Sequence, residues 1–284
     1  MKGTAMDGSI ATRGGRVSYR DTGTGRPILL LHANLHDSHD FDPLIGPLAE
    51  QHRVIAIDWP GHGNSETPRA DSGAPAEVTA PLLADTLEDI VDGLDLEPAV
   101  LIGNSVGGFA ATRLALNRPD RVAGLVLVNT GGFAPLNPIT RGVFRLMGNP
   151  AISRRVLPAL VRGYMQPRNA HDRAISDRVS ARARTAEGTA VATALWRSFT
   201  TPAADLNPRA AELRTPTLIV WGSRDIVAAL PYGHLVRKRL PHAVFRTLPT
   251  GHVVFASEPE KFLDLVTPFV ASTSVPAPGN ESKL

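Results

Sequence analysis

Short, unbroken apolar runs alternate along this chain with stripes of apolar residues at helical spacing. Pro27–Leu31 and Val54–Ile57 are continuous runs of strand length that end abruptly at His32 and Asp58. Runs of this kind fit strands covered on both faces, as in a parallel sheet. Ala99–Ile102, Val122–Val128, Thr217–Trp221 and Val244–Leu248 predict four more strands. Between them the period changes. Leu44, Ile45 and Leu48 within Phe41–Gln51, and Leu83, Leu87, Ile90, Val91 and Leu94 within Leu82–Leu94, mark helices with one buried side. Ser105–Leu116 reads as a helix stopped by Asn117 and Pro119, Pro231–Arg239 as another. Glu258–Val270 reads as a closing helix, with Pro259 in the first turn, where its missing N–H costs little. Upstream, Ile10–Thr12 and Val17–Asp21 flank Gly14–Gly15 and predict a hairpin. The alternation predicts an α/β fold, a mostly parallel doubly wound sheet.

One stretch breaks the alternation. Ala134–Leu206 carries helical segments near Ile139–Met147, Ile152–Tyr164, Asp172–Arg184 and Ala190–Phe199, and no convincing strand. It predicts an all-helical lid inserted over the carboxyl ends of the strands, where open α/β sheets bind ligands. The expected organisation is a core from 1–133 and 207–270, a lid at 134–206, and a Ser/Pro/Gly-rich tail over 271–284 that is expected to be disordered.

Composition narrows the chemistry. With 284 residues and no cysteine, the chain has no thiol nucleophile, disulfide or Cys-ligated metal. No apolar run approaches the ~18 residues of a membrane span, and Met1–Gly15 holds no apolar run resembling a signal peptide, so a soluble cytoplasmic protein is expected. The net charge of +3 is unevenly spread: Ala134–Leu206 holds eleven arginines, no lysine and four acids. Such a field could steer an anionic small-molecule substrate. No aromatic residues interleave with these arginines, so no nucleic-acid partner is expected. The oligomeric state is left open.

Ile102 closes a predicted strand, Gly103-Asn104-Ser105-Val106-Gly107 follows, and a helix begins. A strand-to-helix turn of this form projects the Ser105 hydroxyl above the sheet, with the amides of the helix N-terminus aimed at the same spot. A serine hydroxyl needs a base to take its proton. His252 follows the last predicted strand in Gly251-His252, and Asp225 follows another in Trp221-Gly222-Ser223-Arg224-Asp225. Taken singly, Asp225 could be an Asx-turn residue or a partner of Arg224, and His252 a hydrogen-bonded loop histidine. Taken together, they stand at strand ends in the order Ser–Asp–His.

These motifs, with His32-Ala33-Asn34 after the first long strand, Asp58-Trp59-Pro60-Gly61-His62-Gly63-Asn64-Ser65 after the second, and Glu258-Pro259 downstream, resemble the α/β-hydrolase fold family. The likeness is to its lid-bearing subgroup of esterases and C–C bond hydrolases, and it runs from about Val17 to Val270. It implies a Ser105–Asp225–His252 triad and an oxyanion hole made by the backbone N–H groups of Val106 and Asn34. The family usually has glycine where this chain has Ala33, and a residue with φ > 0 there would be strained. The implied function is a serine hydrolase that cleaves an ester, thioester or lactone through an acyl-enzyme. The alternatives are a C–C bond hydrolase of the meta-cleavage-product type, which the chain resembles in Gly103-Asn104-Ser105, or a non-hydrolytic acyltransferase, cyclase or ligand-binding relative. Ser105 argues against the epoxide hydrolases and haloalkane dehalogenases of this fold, which use an aspartate nucleophile. His32, His36, Asp37, His39 and Asp40 have the composition of a metal site, but this chemistry needs no metal or cofactor. His32 is expected to be a structural hydrogen-bonder, and His36 and His39 to face solvent or the pocket mouth.

Overall fold

The computed structural model describes residues 6–70 and 72–273. Eight strands form one sheet: β1 (Met6–Thr12), β2 (Gly15–Thr22), β3 (Pro27–Leu31), β4 (Arg53–Ile57), β5 (Ala99–Asn104), β6 (Val122–Val128), β7 (Thr217–Gly222) and β8 (Val244–Leu248). Their order is β1-β2-β4-β3-β5-β6-β7-β8. β1 and β2 make the predicted hairpin, Thr12 facing Gly15, and β2 pairs antiparallel with β4. Every pairing from β4 across to β8 is parallel. β3, β5 and β7 are buried along their whole length, as continuous apolar runs require, while the edge strand β8 is largely exposed.

Successive side chains of a strand point to opposite faces, so each run feeds two cores. Leu29 and Leu31 pack on one side with Leu87, Ile90 and Phe109; Ile28 and Leu30 pack on the other with Leu44, Phe255 and Phe262. The first core is closed by helices α2 (Ala80–Gly93) and α3 (Val106–Asn117), the second by α1 (Asp42–Ala49).

Between β6 and β7 stand α4 (Pro138–Met147), α5 (Pro150–Met165), α6 (Ala170–Arg182) and α7 (Ala186–Ser198), with no strand among them. Each starts where the sequence supplies a side-chain cap. Asn137 accepts from Thr140 N–H, Asn149 from Ala151 and Ile152, Asn169 from Asp172 and Thr185 from Gly188. Such a cap contributes about 1 kcal/mol, and Pro138 and Pro150 fit first-turn positions that need no N–H. The chain ends with α8 (Leu230–Arg239), the short α9 (Val254–Ser257), which the apolar pattern does not predict, and α10 (Pro259–Ser272).

The expected tail begins too early. α10 runs through Ser272, and buried Thr273 donates its hydroxyl to the Val270 carbonyl at 2.8 Å. The rest of that tail, 274–284, lies outside the described residues. Among the described residues no helix is long and apolar enough to cross a membrane.

Candidate active site

β3 lies between β4 and β5, so the chain leaves it toward one side of the sheet and later returns to the other. Loops after β3 and β5 therefore part company, and a crevice opens at the carboxyl ends of these strands. A cavity of about 360 Å³ occupies it. Ser105, Val106, Asn34 and His252 all line this cavity.

Ser105 joins β5 to α3 at φ 55° and ψ −112°, a conformation rarely occupied by a residue with a side chain. Its surroundings hold it there. The Ser105 N–H donates to Val128 O at 3.0 Å, and its carbonyl accepts from Gly131 at 2.9 Å and Phe109 at 3.1 Å. Gly103 and Gly107 make the turn possible. A Cβ on Gly103 would stand 2.5 Å from the Gly107 carbonyl oxygen, and one on Gly107 would collide with the Leu31 carbonyl.

Asp225 and His252, on the loops after β7 and β8, meet. His252 Nδ1–H donates to Asp225 Oδ2 at 2.5 Å, which leaves Nε2 as the ring's acceptor. Asp225 is buried and accepts three further hydrogen bonds: from Asn129 Nδ2 at 2.6 Å, Val227 N–H at 2.8 Å and Ala228 N–H at 3.1 Å. Burial alone would raise its pKa. The neighbouring His252 and the backbone donors outweigh burial and hold the carboxyl below its usual range, so it remains a carboxylate.

The N–H groups of Val106 and Asn34 donate to nothing among the described residues. Unpaired N–H donors beside a cavity are uncommon, and these two are available to a ligand oxygen. The loop carrying Asn34 shows where the sequence-based expectation about Ala33 needs correction. Ala33 does not take a positive φ; Leu35 does, at 71°. Two neutral imidazoles clamp that loop. His32 donates from Nδ1 to Ala33 O at 2.7 Å and accepts at Nε2 from the Trp59 N–H. His62 donates from Nδ1 to Pro60 O and accepts at Nε2 from the Leu35 N–H at 3.1 Å. Burial pushes both histidines below their usual pKa, which keeps these acceptor nitrogens unprotonated.

One further expectation is corrected. His36 does not face solvent: it is fully buried, with Nδ1 on Asp40 and Nε2 2.9 Å from the Tyr164 hydroxyl. Asp40 is shared with Arg178, at 2.7 Å. Tyr164, from α5, lies edge-on to the His252 ring at 5.4 Å, and its carbonyl accepts the His252 N–H. His39 is exposed, as expected. No His/Asp/Glu cluster among the described residues has the form of a metal site.

The arginines of 134–206 do not line the cavity; among the described residues no Arg or Lys does. Arg178 pairs with Asp37 and Asp40, Arg168 with Glu258 and Arg197 with Glu77, while Arg182 donates to the Gly61 carbonyl. The cavity walls are instead apolar, with Leu157, Leu160, Trp196, Phe199 and Val227 among them, and Asp205 as their one carboxylate. The expectation of a positive pocket is thus reversed. For Arg168, Arg178 and Arg197 the reason is electrostatic: paired with acids on other elements, they avoid burial as unpaired charges.

Asn129 and Asn104 are the site residues that the sequence reading missed. Asn129, at φ 42° after β6, donates to Asp225 and accepts the Gly222 N–H at 2.9 Å, so it fixes the loop after β7. Asn104 donates to Val128 O and His252 O and ties the loop after β8 to the sheet. A polar residue at or just past the end of a buried strand was the available signal.

The sequence matches the alpha/beta hydrolase fold family over residues 26–259. The chain belongs to the α/β hydrolase fold family. One relative in this family, the 2-hydroxy-6-oxononadienedioate/2-hydroxy-6-oxononatrienedioate hydrolase of Paraburkholderia phymatum, is 30% identical over 275 residues, covering 90% of this chain and 91% of that protein. An uncharacterized protein of Mycobacterium tuberculosis is 29% identical over 279 residues, covering 92% of this chain and 80% of its own. The solved structure of a thermophilic esterase from Thermogutta terrifontis superposes with a TM-score of 0.77 at 23% identity, over 95% of this chain and all of that one. At that identity the superposition speaks for the α/β hydrolase fold alone.

Proposed function

We propose that this protein is a serine hydrolase that cleaves an ester, thioester or lactone with an apolar acyl group, through an acyl-enzyme on Ser105. The observation that carries this reading is the Asp225–His252 hydrogen bond beside a strained serine on an apolar cavity. Nε2 of His252 takes the Ser105 proton as the hydroxyl attacks the acyl carbon, and Asp225 stabilises the imidazolium that forms. The developing oxyanion accepts from Val106 and Asn34 N–H, each donor supplying about 3 kcal/mol of transition-state stabilisation. His252 returns the proton to the leaving group, then activates the water that releases the acid. Helices α4–α7, within 134–206, act as the lid that keeps water from the acyl-enzyme.

The second reading is C–C bond hydrolysis, favoured by the Paraburkholderia relative. Dienedioates carry two carboxylates, and among the described residues the cavity offers no Arg or Lys to receive them. A panel of p-nitrophenyl esters of rising chain length, with lactones and dienone acids, decides between the two. Burying each added methylene contributes about 0.8 kcal/mol, so kcat/KM should climb about fourfold per carbon until the cavity is full. A fluorophosphonate should label the wild type and not Ser105→Ala. Turnover confined to dienone acids would replace the ester reading with the second one, and no labelling at all would remove both.

A further inference from the structure

One charged group faces the cavity without a counterion. Asp205 stands between α7 and β7 and is, among the described residues, the only carboxylate on a cavity wall that carries no Arg or Lys. Its Oδ1 accepts from the Asn207 N–H at 3.0 Å and from Asn207 Nδ2 at 2.8 Å. No donor and no cation among the described residues reaches Oδ2. Arg141, whose helix α4 also borders the cavity, is held by the Leu136 and Thr200 carbonyls at 3.0 and 3.3 Å. One oxygen of Asp205 therefore fixes the turn, and the other is spare.

The backbone ties this carboxylate to the loop that holds the serine. The Gly131 N–H donates to the Ser105 carbonyl at 2.9 Å, and the Gly132 carbonyl accepts the Leu206 N–H at 2.8 Å, directly after Asp205. Phe199 reaches the same loop: a Cβ on Gly131 would stand 3.3 Å from its ring. Phe144 lies between Phe199 and Trp196, with ring centroids at 6.2 and 5.6 Å, and all three rings line the cavity. Tyr232 lines it as well. Burial, reinforced by the negative charge of Asp205 and opposed by the Phe133 and Ala134 N–H groups, holds its phenol above the usual pKa, so this ring stays neutral.

We propose that Asp205 is the specificity-determining group of the cavity and selects an ester whose alcohol part carries a positive charge. This rests on the serine hydrolase reading, in which the acyl group is apolar and the charge therefore belongs to the alcohol. An unpaired carboxylate on apolar walls attracts a cation more strongly than one in water, because little solvent screens it. Aromatic faces attract the same charge through their quadrupoles. A substrate carboxylate is repelled by the same oxygen, so the group discriminates in both directions.

The test compares two butyrate esters of nearly one shape, 2-(trimethylammonio)ethyl butyrate and 3,3-dimethylbutyl butyrate, which differ by one charge. The trimethylammonium group has no N–H, so the comparison reads charge and not a hydrogen bond. By calorimetry, the full chain carrying Ser105→Ala should bind the charged ester at least about tenfold more tightly than the neutral one. The Ser105 protein should hydrolyse it with a kcat/KM at least about tenfold higher, the difference lying in KM. Asp205→Asn keeps an oxygen for Asn207 and puts an NH₂ where the spare oxygen stood. It should retain the urea midpoint and bring both ratios to about one. Equal binding of the two esters by the Ser105→Ala protein, or a preference that survives Asp205→Asn, would overturn the proposal. Hydrolysis of both esters at equal kcat/KM would also overturn it and leave the serine hydrolase reading standing. Selective binding of the charged ester, with neither ester hydrolysed and no fluorophosphonate labelling, would instead remove the serine hydrolase reading and leave the cation site.

Discussion

Asp225→Asn keeps the shape of the side chain and removes its charge, and the consequence can be worked from its contacts. The carboxylate accepts from His252 and Asn129 at one oxygen and from Val227 and Ala228 at the other. All four partners are donors, and an amide has one oxygen. With its NH₂ toward Val227 and Ala228 it meets two backbone N–H groups that cannot change. With its NH₂ toward His252, the imidazole can adapt by moving its proton from Nδ1 to Nε2. Asn129 cannot follow without cost, because its own oxygen already accepts from Gly222. The adapted His252 presents N–H to Ser105 in place of a lone pair, and the base is lost. We expect kcat on p-nitrophenyl butyrate to fall about 10⁴-fold. One buried donor left unpaired should cost about 1–3 kcal/mol, read from the urea midpoint. The rate of fluorophosphonate labelling should fall in parallel with kcat. A variant that loses this stability yet keeps kcat within tenfold of wild type would refute the reasoning, because His252 would then not depend on Asp225 for its tautomer.

Three further outcomes can be checked. Ser105→Gly should unfold at higher urea than Ser105→Ala, by about 1 kcal/mol, because glycine relieves the backbone strain at φ 55° while both variants lack turnover; equal midpoints would mean that the turn stores no strain. Tyr164→Phe should destabilise by about 1–3 kcal/mol by leaving buried His36 Nε2 unpaired, with kcat reduced less than tenfold, because the carbonyl that holds His252 is retained; a larger kcat loss would place the phenol in the chemistry. Asp225 is depressed below the ordinary carboxylate value of 3.8, so its contribution to stability is present above that pH and is lost as the folded-state carboxyl protonates below it. The stability gap between wild type and Asp225→Asn should therefore close in acid below about pH 4, and a gap independent of pH would count against a charged Asp225.

What this sequence determined by itself is whatever a short window of side-chain period encodes. β3 and β6 occupy the runs predicted for them, because an unbroken apolar run between turn residues fits a covered strand and little else. The four helices of 134–206 follow from stripes and caps, and the Gly103–Gly107 turn from a motif whose steric demands are local. Tertiary structure decided the rest. Asn129 lies 96 residues from the aspartate it holds, and His36 lies 128 from the tyrosine that buries it; only the strand order brings them together. The same is true of charge. Eleven arginines in one segment suggested a positive cavity, yet the field inside depends on which acids those side chains can reach. Asp37, Asp40, Glu77 and Glu258 sit on other elements and hold Arg178, Arg197 and Arg168 there, outside the cavity wall.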